Sequence, residues 1–120
     1  MSCLFDSLSH FITNVDSARL RSMIVGYLST NPKMIEDSRF SDLLLTGENM
    51  DGYIRNMSEQ NTWGGGIEIK AFADMFSIRI LVNVLSTGKQ IEFLPKDPYN
   101  TTICLSYTGN HYEPVSIKSE

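Results

Sequence analysis

Cysteine, basic excess and long apolar runs are all scarce in this sequence, and each shortage excludes something. There are two cysteines, Cys3 and Cys104, without C-x-x-C spacing, and two histidines, His10 and His111. That is too little for a disulfide framework or a zinc site, so the expectation is a reducing, intracellular and cytoplasmic setting with no metal and no cofactor. Ten Lys and Arg against 14 Asp and Glu leave a net charge of −4 and a pI near 5.1. Nucleic-acid affinity is carried by clustered cations, so no nucleic-acid partner is expected. No apolar run is long enough to span a bilayer, and the first twelve residues lack a basic start and a small-residue cleavage site, which argues against a membrane segment or a signal peptide. Four prolines and eight glycines are no disorder-like excess. No heptads and no surplus apolar stripe point to self-association, so a monomer is expected.

What is present suits one globular domain over residues 1–120, with 42% hydrophobic and 20% charged residues. Leu4, Leu8, Phe11 and Ile12 recur at helical spacing behind Cys3. Asn14 or Asp16 can cap a second helix with Leu20, Met23, Ile24, Tyr27 and Leu28 on one stripe, stopped by Asn31 and Pro32. A short helical turn from Asp37 or Ser38 runs through Phe40, Leu43 and Leu44 to Thr46 and Gly47. Met50, Tyr53, Ile54 and Met57 mark a fourth helix. After the glycine cluster Gly64–Gly66, residues 67–76 read as a fifth, burying Ile69, Phe72, Ala73 and Phe76.

From Ile78 the period changes to two. Residues 78–85 are apolar enough for a central strand covered on both faces. Thr87 and Gly88 turn the chain into residues 90–94, a Pro-rich loop leads to 102–107, and Thr108, Gly109 and Asn110 form a hairpin loop into a last strand, 111–117. Helices first and antiparallel strands last make an α+β domain, with one mostly antiparallel sheet packed on N-terminal helices.

The chemistry starts at Cys3. Unpaired N–H groups and the positive end of the macrodipole favour an anion at a helix start, so a cysteine there is a candidate nucleophile, against the alternative of a small buried hydrophobe. His10 is seven residues on, roughly 10 Å along the axis and beyond hydrogen-bond reach. His111 opens a strand on which Glu113 shares its face, so Glu113 can hold one ring nitrogen while the other serves the thiol. Nucleophile, base and orienting group are the parts a thiol hydrolase requires. The alternative is an exposed strand-end histidine beside a solvated glutamate.

Cys3-Leu4-Phe5 with Leu8, Trp63-Gly64-Gly65 ahead of Glu68 and Ala71, a buried strand at Ile78 to Val84, and Asn110-His111-Tyr112 with Val115 together resemble the ovarian-tumour (OTU) family of cysteine proteases. The resemblance covers nearly the whole chain in order. It implies a papain-like OTU fold and a compact deubiquitinase of a kind also met in viruses, hydrolysing the bond after the C-terminal Gly-Gly of ubiquitin or a ubiquitin-like modifier through a Cys3 thioester. Cys3, His111 and Glu113 would be catalytic. Trp63, Gly64, Gly65 and Tyr112 would wall the channel for the two-glycine tail, although core packing is an equal role for Trp63.

Two departures keep other readings open. The family carries Asp-Gly and a small polar residue before the cysteine, where N–H groups form the oxyanion hole, whereas Met1 and Ser2 stand here, leaving Ser2 and the Cys3 N–H as candidates. Glu113 is one methylene longer than the family's Asp or Asn. The alternatives are an OTU-like polyprotein-processing protease and a ubiquitin-binding pseudoenzyme.

Overall fold

The computed structural model describes residues 3–45 and 47–119. Thr46, expected to help close the third helical turn, lies outside them. Helix α1 (Cys3–Ser9) buries Leu4, Phe5 and Leu8, and the chain after it tightens to i+3 bonds from Phe11 N–H to the Leu8 carbonyl and from Ile12 N–H to the Ser9 carbonyl. The helix is therefore shorter than the apolar pattern through Ile12 indicated. Asp16, not Asn14, caps α2 (Ser17–Leu28) by accepting from Arg19 N–H at 2.8 Å, while Asn14 takes the left-handed conformation at φ 65°.

A small hairpin absent from the sequence reading follows, β1 (Lys33–Ile35) with β2 (Ser38–Arg39). Asp37, at φ 66°, is its turn residue rather than a helix cap. The expected helical turn is a 3-10 helix, Phe40–Leu43. Helices α3 (Met50–Met57) and α4 (Gly66–Phe76) lie where their periodicity indicated.

The sheet runs β4-β3-β5-β6, from β3 (Arg79–Val84), β4 (Lys89–Phe93), β5 (Thr101–Tyr107) and β6 (Tyr112–Ser119). Two of its pairings are antiparallel, but β3 and β5 are parallel. The 94–100 connection returns the chain to the opposite side of β3 from β4. It is tied to α4, because Lys70 Nζ donates to the Leu94 carbonyl at 2.8 Å and Lys96 N–H donates to Asp74 at 2.9 Å.

Among the described residues, only one face of the sheet is covered. Ile80, Val82, Ile103 and Leu105 are buried against the helices with Phe72 and Ile69. Arg79, Leu81 and Asn83 on the other face of β3 remain half-exposed, which corrects the expectation of a strand covered on both sides. That face instead carries cross-strand polar pairs, Arg79 with Glu92 and Gln90 with Asn83. Burial of the apolar set on the helix side drives the two layers together.

Candidate active site

Cys3 begins α1 because Leu4, Phe5 and Leu8 commit the next turns to the core, leaving the thiol half-exposed at the helix mouth. The Ser7 hydroxyl, one turn on, donates to the Cys3 carbonyl at 2.8 Å. β6 packs beside α1, and the two elements enclose a cleft of about 310 Å³. Cys3, Asp6, Ser7 and His10 line its helix side, and residues His111 to Pro114 its strand side. The cysteine and histidine singled out from sequence thus face one cavity.

His111 is held by its loop. Tyr107 OH donates to the Gly109 carbonyl at 2.6 Å, Thr108 N–H to the His111 carbonyl at 3.0 Å, and Thr108 Oγ1 to Asn110 Oδ1 at 3.1 Å. Tyr107 and Tyr112 stack across the hairpin with centroids 4.5 Å apart. A bulge at Val115, where Cys104 pairs with Ser116 but Leu105 with Pro114, shifts the register of β6 by one residue. Past it, Tyr112 pairs with Tyr107 and shares a face of the sheet with the buried Leu105. Burial, with the Tyr107, Cys3 and Glu68 charges nearby, pushes the Tyr112 phenol up to about 12. His111 Nε2 stands 3.3 Å from Glu113 Oε1.

The tryptophan loop lies outside the core. Trp63 is 54% exposed, so it is not a core residue, and neither it, Gly64 nor Gly65 lines the Cys3 cleft. Gly64 packs on the cysteine helix, where an added Cβ would come within 2.8 Å of Leu4 Cδ2 and 3.0 Å of Phe5 Cε2. Gly65 leads into α4, its N–H donating to Glu68 Oε1 at 2.8 Å. Glu68 is 1% exposed and accepts a second bond, 2.6 Å, from Tyr53 OH. Burial raises its carboxyl above the usual range, partly offset by those two bonds and by Arg21.

Sequence reasoning missed Asp6, Ser7 and His10 as cleft walls, and Arg21, which is buried at 3%. The spacing of Cys3, Ser7 and His10 at i, i+4 and i+7 is the signal for the first group. For Arg21 it is a cation flanked by the apolar stripe Leu20, Ile24 and Leu28. Ser2, expected beside Cys3 at the oxyanion hole, lies outside the described residues. Among the described residues no group of three or more His, Cys, Asp or Glu is placed to hold a metal ion. Nor is any helix among them long and apolar enough to cross a membrane.

Residues 2–113 match the family model for OTU-like cysteine proteases. The chain is 31% identical over 117 residues to the ubiquitin thioesterase OTU1 of Saccharomyces cerevisiae, covering 97% of this chain and 36% of that protein. It is 27% identical over 119 residues to the OTU1 of Xenopus laevis, covering 95% and 37%. It thus spans about a third of the length of the curated relatives it matches. A solved OTU domain in complex with ubiquitin superposes with a TM-score of 0.77 at 28% identity, covering 98% of this chain and 64% of that one. The viral OTU domain protease from Dera Ghazi Khan virus shares the fold, with a TM-score of 0.73 at 17% identity over 98% of this chain and 76% of that one. A cysteine and a histidine facing one cleft, in an α+β frame that matches this family from residue 2 to residue 113, make the chain a member of the OTU-like cysteine protease family.

Proposed function

We propose that residues 1–120 act as one catalytic unit, a cysteine isopeptidase that cleaves after the C-terminal Gly-Gly of ubiquitin or a ubiquitin-like modifier. The observation that carries this reading is the shared cleft of Cys3 and His111 with Glu113 3.3 Å from the imidazole. His111 takes the thiol proton, and the Cys3 sulfur attacks the carbonyl to form a tetrahedral intermediate. The oxyanion is assigned to the Cys3 N–H with Ser2. Collapse expels the lysine amine, which leaves with the proton from His111, and the acyl group stays as a thioester. Water, deprotonated by His111, then hydrolyses the thioester and frees the thiol.

Trp63, Gly64, Gly65 and Tyr112 are assigned to the channel for the two-glycine tail. Gly64 supports this assignment, because its tight seat on α1 puts the loop against the cysteine helix. A slot without room for side chains discriminates by excluding larger residues. The enzyme works in the cytoplasm as a monomer, a setting in which a catalytic thiol stays reduced.

Ubiquitin carrying a C-terminal electrophile tests the reading. Wild type and Cys104→Ser become covalently labelled, whereas Cys3→Ala and His111→Ala do not. Wild type that binds ubiquitin yet resists labelling would establish a binding module instead.

A further inference from the structure

The deepest cation among the described residues of the helical layer is Arg21 on α2, 3% exposed. Its Nη1 donates to the Met57 carbonyl at 2.9 Å, and its Nη2 donates to the Gln60 and Thr62 carbonyls at 3.1 and 2.8 Å. The guanidinium also lies over the Phe5 ring, with Cζ 4.2 Å from the centroid, and Glu68 and Asp6 supply opposing charge. One planar group therefore joins α1, two residues beyond Cys3, to the end of α3 and to the segment that delivers Trp63 and Gly64. A fork of fixed donors can satisfy one carbonyl at a helix end and two in the loop beyond it, which an ammonium on a flexible stem cannot do in the same geometry.

We infer that Arg21 is a positioning residue, setting the Trp63–Gly64 wall at its distance from the Cys3 thiol without entering the cleft itself. The inference rests on the proposed channel role of the tryptophan loop. It separates two properties of the site: tail binding depends on Arg21, while the reactivity of the thiol depends on His111.

Trp63 is the sole tryptophan, so fluorescence excited at the red edge, where the five tyrosines do not absorb, reports on this segment alone. Arg21→Lys keeps the charge and removes the fork. In a Cys104→Ser background, three quantities are measured: iodide quenching of Trp63, alkylation of Cys3 by iodoacetamide, and kinetics on ubiquitin with a C-terminal aminocoumarin. The expected result is altered quenching and a KM raised about tenfold, the scale of one lost charge-assisted hydrogen bond. Alkylation rate and kcat stay within about twofold by the same scale.

Unchanged quenching with unchanged KM overturns the inference. So does a parallel fall of kcat, alkylation rate and melting temperature, which marks a purely structural residue. If Arg21→Lys does not fold, Phe5→Leu removes the ring face and leaves the three carbonyl bonds. It is expected to raise KM by about threefold, the scale of a weak cation–π contact, and a wild-type KM and quenching curve would overturn the inference. Wild type without hydrolysis of the ubiquitin substrate refutes the proposed function, and the quenching comparison then decides the positioning role by itself.

Discussion

Gly64 and Leu4 lie so close that a single added methyl on the glycine would stand 2.8 Å from Leu4 Cδ2. Leu4 is 1% exposed and Phe5, on the other flank, fully buried, so neither side chain has solvent to swing into. Gly64→Ala is expected to cost about 1–3 kcal/mol by overpacking. Urea unfolding measures the loss, and the same variant should label more slowly with the ubiquitin electrophile. A variant of undiminished stability would show that the loop lifts away from α1 freely.

Glu113 stands 3.3 Å from His111, with side chains 66% and 45% exposed respectively. Solvent and salt screen such a pair, which is worth about 0.2–1 kcal/mol. Glu113→Gln is therefore expected to lower kcat/KM by only about twofold to fivefold, while Cys3→Ala abolishes turnover. Raising ionic strength should narrow the gap between Glu113→Gln and wild type.

Glu68 makes stability fall with rising pH. Its carboxyl titrates above the ordinary 4.5 in the folded protein because burial disfavours the charge. The folded state thus holds the proton more tightly than the unfolded chain. The contribution is fully present below about 4.5 and is lost as pH climbs through the raised folded value. Urea midpoints of wild type and Glu68→Gln, compared at acid and neutral pH, should show wild type losing ground to the variant as pH rises. A difference independent of pH would refute this.

Tyr112 is expected to act through its ring. Tyr112→Phe keeps the 4.5 Å stack on Tyr107 and should label at the wild-type rate. Tyr112→Ala removes a contact worth about 0.5–1.5 kcal/mol beyond burial and frees the His111 loop. Its labelling is expected to slow by about tenfold, with far-UV circular dichroism unchanged.

The elements most legible in the sequence are those whose burial is one-sided and long. Met50 to Met57 and Gly66 to Phe76 announce their helices because an apolar stripe must recur at 3.6 residues to reach one core. The β1–β2 hairpin pairs three residues with two, too short for any period, and its turn residue Asp37 is also a common helix cap. The parallel pairing of β3 and β5 escaped because Ile103 and Leu105 alternate identically whichever edge of β3 they join. The side is chosen by the 94–100 crossover, which Lys70 and Asp74 anchor. At the site, residue chemistry and spacing bring Cys3, His111 and Glu113 forward as candidates, and the structure sets all three along one cleft. The bulge at Val115 was not, since a one-residue register shift leaves no compositional trace. Arg21 was passed over because its partners are backbone carbonyls, which every sequence supplies equally.

The packing of α1 beside β6 has a kinetic corollary. Thiol and imidazole come from near opposite ends of the 120-residue chain, joined across a strand that itself needs β5 in place. Such distant pairings close late, because the entropy of the intervening loop is lost before any contact repays it. A partly folded molecule therefore carries Cys3 without His111 beside it. The meeting of Cys3 and His111 in one cleft therefore reads out the completed sheet, and the iodoacetamide reactivity of Cys3 followed during refolding is a clock for it.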